Sequence, residues 1–267
     1  MNALCSLNID IEDKRAIADA FGRAAPTYDQ HAAFQRDVGH RLLNKLPDDL
    51  TGIKVLDLGC GTGYFSLQLI DRGATVVCGD LSPEMLAAAK QRCVGRDASY
   101  HVVDAECLPF SNDEFDLVFS SLALQWCHDL ALPLREALRV VKPDGKVVFS
   151  TLMDGSLHEL KQSWSKIDTH QHVNDFISLN QLKIALAQSH CLNHALDLPS
   201  IKVWYPSALA VMRDLKGIGA THVNGRGQGL TSRRTLIQVD KAYQKFKNQQ
   251  GLLPATYQVC LGVIQHD

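Results

Sequence analysis

The residues whose types and spacing suit chemistry sit in one run, Val55-Leu-Asp-Leu-Gly-Cys-Gly-Thr-Gly63, and in Asp80 beyond it. Val55 to Leu58 reads as a short, fully buried strand, and Tyr64 to Ile70 has the apolar spacing of a helix. Between them, Gly59, Gly61 and Gly63 make a turn with no side chains in the way. Such a turn lets backbone approach a ligand, and the helix start behind it presents unpaired N–H groups. The run Thr75-Val-Val-Cys-Gly-Asp80 reads as a second strand ending in a carboxylate, the usual partner of a ribose diol. This chemistry is recognition of a nucleoside. The dinucleotide fingerprint is G-x-G-x-x-G; here the spacing is G-x-G-x-G, with an acid, Asp57, ahead of the turn.

The elements that must position these residues alternate strand and helix as far as about residue 152. Strands are predicted at 53–58, 75–80, 100–103, 115–120 and 146–152. Ser82-Pro83-Glu84 supplies a capping hydroxyl, a proline at the first position and an early acid, opening a helix to about Cys93. A second helix covers 130–141 and stops at the turn Lys142-Pro-Asp-Gly145. The alternation predicts an α/β fold: a doubly wound, mostly parallel sheet with its ligand at the carboxyl ends of the strands. Asp13 to Leu46 is helix-rich and broken near Pro26. After 152 come helical patterns at 155–167, 179–189 and 207–215, an extended run at 201–205, a loop with five glycines at 217–229, a basic helix at 231–247 and a last strand at 256–265. The expectation is one domain over 1–267 with seven strands, a helical cover at 1–46 and an inserted helical lid at 150–230. Covers of this kind carry specificity and exclude water.

Composition fits. The chain has 267 residues, 46% hydrophobic, with a net charge of −2, which predicts no general affinity for nucleic acid. No apolar run approaches the ~20 residues of a membrane span. Residues 1–13 lack the basic and apolar regions of a signal peptide, and the eight cysteines form no C-x-x-C pair, so a cytoplasmic setting is expected. His190 and His194, four apart on a possible helix, and His170 and His172 lack an intervening acid or a third ligand, and no metal is expected.

The turn with its leading Asp57 and trailing Asp80 resembles the pocket of class I S-adenosylmethionine methyltransferases, whose cofactor has no pyrophosphate. Four further segments resemble the malonyl-acyl-carrier-protein O-methyltransferase family of biotin synthesis. They are Phe21-Gly-Arg-Ala-Ala-Pro-Thr-Tyr28-Asp-Gln-His31, Ser120-Ser-Leu-Ala-Leu-Gln-Trp126, Gly155-Ser-Leu-His-Glu-Leu160 and Leu215-Lys-Gly-Ile-Gly-Ala-Thr-His222. The resemblance spans nearly the whole chain; one departure is Pro143-Asp-Gly145, where such proteins often carry Pro-Gly-Gly. It implies S-adenosyl-L-methionine as cofactor and methylation of the free carboxylate of a malonyl thioester on acyl carrier protein, or on coenzyme A. The neutral ester then passes through elongation until a pimeloyl chain is made. A malonyl carboxylate is ionised at neutral pH, so no general base is needed, and positioning and desolvation are expected to carry catalysis.

By this resemblance, Asp57, Gly59, Gly61 and Gly63 hold the amino-acid end of the cofactor. Asp80, with Leu81 beside it, takes the ribose; Asp104 and Ala105 take the adenine; Ser120 and Ser121 either close strand four under the methyl group or only pack there. Tyr28 either orients the substrate at the reacting centre or is an ordinary half-buried tyrosine. An arginine fork suits the substrate's carboxylate, with Arg135 and Arg226 as candidates. Residues 201–250 hold nine basic residues, Arg233 and Arg234 among them, against Asp214 and Asp240, a charge of +7 in a protein of −2. The patch is a solvated helix face or a dock for an acidic carrier protein. Two other classes compete. A methyltransferase for a free small molecule, such as a quinone or acyl-CoA, needs no such patch. A non-catalytic cofactor-binding protein would tolerate damaged glycines or a lost Asp80, and neither is seen.

Overall fold

The computed structural model describes residues 11–220 and 232–266. At the centre of its sheet stands β1 (Lys54–Leu58), whose Val55, Leu56 and Leu58 are buried because strands and helices cover both faces. It pairs in parallel with β2 (Thr75–Asp80) on one side and β4 (Phe115–Ser121) on the other; β3 (Ala98–Val102) extends the β2 side. Next to β4 lies β5 (Val141–Met153), also parallel, and β8 (Leu253–Gln265) runs antiparallel to it. The order is β3-β2-β1-β4-β5-β8, then β6 (His194–Asp197), with β7 (Ser200–Tyr205) also on β8. Chain direction away from β1 reverses between β2 and β4, and ligands of such sheets sit in the crevice beyond that switch point.

Two expectations need correction. The sheet has eight strands, not seven, because the last place is filled by two segments. Asp197 pairs with Leu261 and Ser200 with Gln258, and the ladder breaks between them at Pro199, which has no N–H to donate. The Lys142–Gly145 turn is a bulge within β5: its pairing with β4 jumps from Phe115↔Val141 to Leu117↔Lys146, with Asp144 at φ 65.

On one face of the sheet pack α3 (Ala33–Leu43), α4 (Tyr64–Asp71), α5 (Pro83–Arg92), α7 (His158–Trp164), α9 (Ala208–Gly217) and α10 (Arg233–Tyr243). On the other pack α6 (Ala131–Val140) and α8 (Leu179–Gln188). The Ser82 hydroxyl caps α5 through Met85 N at 3.3 Å, a contact worth about 1 kcal/mol. Ser178 and Gln181 form a reciprocal capping box on α8. α8 ends at Gln188, His190 lies past its cap at φ 59, and His194 begins β6, so the two histidines share no helix. Across the strand ends lie α1 (Ile11–Ala24) and α2 (Tyr28–His31), the latter tied to α9 by His31 Nδ1 and Asp214 Oδ1 at 2.8 Å. Among the described residues no helix is long and apolar enough to cross a membrane.

Candidate functional site

Three adjoining cavities open at the carboxyl ends of the parallel strands, and Tyr28 lines all of them. The first, about 110 Å³, brings together Tyr28, Gly59, Gly61, Asp80, Leu81, Asp104 and Ala105 from the sequence-predicted set. The second, about 50 Å³, wraps the glycine turn and adds Asp57, Arg36 and Gln35. The third, about 70 Å³, is walled largely by apolar groups, among them Phe21, Phe34, Trp126, Leu157 and Tyr257.

The glycine turn is held from both sides. Asp80 Oδ2 accepts from Gly61 N at 2.8 Å and its Oδ1 from Ser82 N at 2.9 Å, so one carboxylate ties β2 to the turn after β1. Each oxygen keeps a lone pair for a diol. Burial pushes the Asp80 carboxyl above the ordinary carboxylate range, while those backbone N–H groups pull against it. Gly61, at φ 54, has nothing within 4 Å of where a side chain would begin, although it lines two of the cavities: the turn leaves a cradle open to a ligand. Gly63, at φ 76, starts α4 and lies against Ala89 of α5.

Asp57 is buried, 2% exposed, and accepts from Ser66 Oγ at 2.5 Å. Burial drives its pKa up to about 7, against the Ser66 hydrogen bond and with help from Asp80. A folded pKa above the unfolded one favours the folded state most at low pH, and that stability is lost as pH rises through 7. We therefore expect Asp57→Asn to gain stability over the parent by a few kcal/mol as pH climbs from 4 to above 7. Paired melting curves of the cofactor-free proteins measure it; parallel pH profiles would contradict it.

At the far end of the first cavity, Lys14 of α1 forms ion pairs with Asp104 and Glu106. Burial disfavours its ammonium, but the two acids outweigh that and raise its pKa. Glu106 also accepts from His128 N and Asp129 N, each at 3.2 Å, which fixes the loop beyond Trp126. α2 is anchored through Asp29, which accepts from Thr62 Oγ1 at 2.8 Å and pairs with Arg92. This anchor holds the adjoining Tyr28 over the turn. Burial, then Asp80 and Asp29, push the Tyr28 phenol upward, so it stays a neutral hydrogen-bond donor at physiological pH.

Other predicted residues fall elsewhere. Ser120 is 1% exposed and spends its hydroxyl on Leu58 O at 2.9 Å, while the neighbouring Ser121 lines the first two cavities. Arg135 lies on α6 with its guanidinium on Gln188 O at 3.3 Å, and lines none of the three. Arg233 and Arg234 are exposed in the first turn of α10. Arg226, with Thr221 and His222, lies outside the described residues. No lysine or arginine lines the third cavity among the described residues; its polar groups include Tyr28, Gln35, Gln125, His172 and Asn174. Sequence reasoning missed Lys14, Phe21, Gln35, Arg36 and Gln125. Phe21 and Gln125 stood inside segments quoted for their resemblance, which was the available signal.

A family model described as a methyltransferase domain matches residues 56–149. The solved YcgJ protein of Bacillus subtilis superposes with a TM-score of 0.61 over 87% of this chain and 99% of that one, at 18% identity, a likeness of fold. Together with the crevice and its acid-flanked glycine turn, these define a class I S-adenosylmethionine-dependent methyltransferase. The malonyl-[acyl-carrier protein] O-methyltransferase of Serratia marcescens is 43% identical over 97% of this chain and 98% of its own length. The biotin biosynthesis bifunctional protein BioHC of Cellvibrio japonicus is 40% identical over 92% of this chain, which spans 49% of that longer protein. The chain belongs to the malonyl-[acyl-carrier protein] O-methyltransferase family.

Proposed function

We propose that this enzyme methylates the free carboxylate of a malonyl thioester on acyl carrier protein, giving the methyl ester that primes pimeloyl synthesis for biotin. The observation that carries this proposal is the position of Tyr28, shared by the acid-lined first cavity, the glycine-turn cavity and the largely apolar third. S-adenosyl-L-methionine, when bound, supplies a methyl group on a positively charged sulfur. Asp80 and Leu81 suit its ribose, Asp104 and Ala105 its adenine, and Asp57, Arg36 and the glycine turn its amino-acid end.

The substrate's carboxylate is the nucleophile and is already ionised, so the site needs no base. What it needs is dryness, since water stabilises a carboxylate and an opposed cation more than it stabilises the transition state in which both charges vanish. Phe21, Trp126 and Leu157 supply apolar walls. The neutral donors Tyr28 and Gln35 orient the carboxylate without neutralising it. An arginine fork there would bind the anion tightly and blunt its attack, which replaces the sequence expectation for Arg135. The N-terminal helices serve as the cover, and from the predicted lid region it is Leu157, the stretch 172–176 and the end of α9 at Leu215 to Ala220 that close the third cavity.

Carrier docking falls to the basic surface of 201–250. Arg233 and Arg234 stand at the N-terminus of α10, where the helix dipole makes cations unfavourable by about 0.3–1 kcal/mol each. Their presence at that cost suits a binding role. Reversal to Glu at both positions should raise the KM for malonyl-carrier protein about tenfold or more at low salt, with cofactor affinity and the KM for malonyl-CoA unchanged. An unaltered KM for the carrier substrate would remove the docking role. The function itself is tested by methyl transfer to malonyl-carrier protein and to malonyl-CoA: faster transfer to the carrier form is expected, and no transfer to either would overturn the proposal. A cytoplasmic setting, as expected from the sequence, is part of this proposal.

A further inference from the structure

Beside the third cavity lies a larger one of about 400 Å³, on the face of the sheet that carries α6 and α8. The two share Gln125, Leu152 and Phe176 as a common wall. The larger cavity reaches from the end of β5 to the exposed side of α8, where Ile184 is 56% exposed at its rim. None of the cofactor-binding residues named above lines it.

Two residues that line this cavity each carry a buried polar atom without a hydrogen-bond partner among the described residues. One is the Thr151 hydroxyl, on a residue 1% exposed; the other is the Gln125 amide oxygen. The Gln125 amino group is already spent on Leu122 O at 2.6 Å, and next to Thr151 the Ser150 hydroxyl is taken by Leu122 N at 2.9 Å. Buried polar groups left unpaired are costly, so a native fold keeps them where water or a ligand completes them. A hydroxyl that donates and accepts, and an amide oxygen that accepts, together match a secondary amide. Leu152, Phe176 and Ile177 line the same space with apolar surface suited to methylene groups.

We propose that this cavity receives the amide-bearing arm of the thioester substrate, its amide groups pairing with Thr151 and Gln125 while the acyl end passes the shared wall into the third cavity. This rests on the malonyl thioester function proposed above. A buried acyl site demands a long, thin arm, and carrier-bound and coenzyme A thioesters present the same pantetheine chemistry. The cavity reads that shared arm, whereas the basic surface of 201–250 distinguishes the carrier.

Two full-length variants and one conservative control test the proposal with three substrates: malonyl-carrier protein, malonyl-CoA and malonyl methyl thioester, which has no arm. Thr151→Val keeps shape and removes the hydroxyl; Ile184→Trp, at the exposed rim, narrows the opening. Each should raise the KM of both arm-bearing substrates about three- to tenfold while leaving the KM for the methyl thioester and the cofactor Kd unchanged. Thr151→Ser should restore parent values. Equal losses on all three substrates would mark a packing role, and no loss with either variant would mark a hydrated cavity only; both overturn the proposal. A parent enzyme that methylates no malonyl thioester would instead overturn the function on which the proposal rests.

Discussion

Replacing Asp80 with alanine should weaken S-adenosylmethionine binding by about 1–3 kcal/mol, or roughly five- to 150-fold in Kd, measured by titration calorimetry. The side chain stands at the end of β2, next to the central strand, and lines the first cavity. Its two oxygens accept from Gly61 N and Ser82 N, so alanine removes an acceptor for the ribose and leaves two N–H groups of the crevice unpaired. Both losses act on the same turn. Unchanged affinity would refute the ribose role, while a fall in melting temperature with affinity intact would reduce Asp80 to a fastener of the turn.

The glycine turn makes an equally large prediction because two of its members should fail differently. A Cβ on Gly63 would sit 2.9 Å from both Cα and Cβ of Ala89, backbone of α5 that cannot swing aside, at φ 76. Left-handed strain of about 1–2 kcal/mol and overpacking of about 1–3 kcal/mol should together lower the melting temperature of Gly63→Ala by on the order of 10 °C. A Cβ on Gly61 would meet no atom within 4 Å, so Gly61→Ala bears the backbone strain alone and keeps most of its stability. Its methyl group fills the cradle instead, and cofactor affinity should drop more than tenfold. Thermal melts beside calorimetry separate the pair. The same ratio of stability loss to affinity loss in both variants would contradict a ligand-bearing turn at Gly61.

The core of the sheet was legible because its signals are local. Thr75–Asp80 is the strand that the β-branched run predicts, and Pro83–Arg92 begins where Ser82 and Pro83 place it. β6 was missed because His194–Asp197 carries no apolar alternation; it is a strand only because β8 offers an edge. The bulge at Lys142–Gly145 reads locally as a chain reversal, and only pairing on both sides keeps it within β5.

Legibility of the site follows the same line. Gly59, Gly61, Asp80, Leu81, Asp104 and Ala105 meet in one cavity because each lies at, or within three residues past, the carboxyl end of a strand of the parallel sheet. Lys14 belongs to α1, laid across the strand ends, and Gln35 and Arg36 to the first turn of α3; a lone Lys or Gln is by default a surface residue. Arg135 was chosen for its charge alone, and on α6 its guanidinium meets Gln188 O and lines none of the three cavities. Thr151 was invisible as a functional residue, because its hydroxyl matters only as a buried group with no partner.

The most direct test is a crystal structure of the full chain with S-adenosylhomocysteine. The ribose hydroxyls should lie on Asp80, the adenine beside Asp104 and Ala105, and the sulfur should face Tyr28 where the three cavities meet. Ligand density outside this crevice, or a crevice filled by Lys14, Phe21 and Trp126 at saturating ligand, would contradict the assignment from which every other role here is drawn.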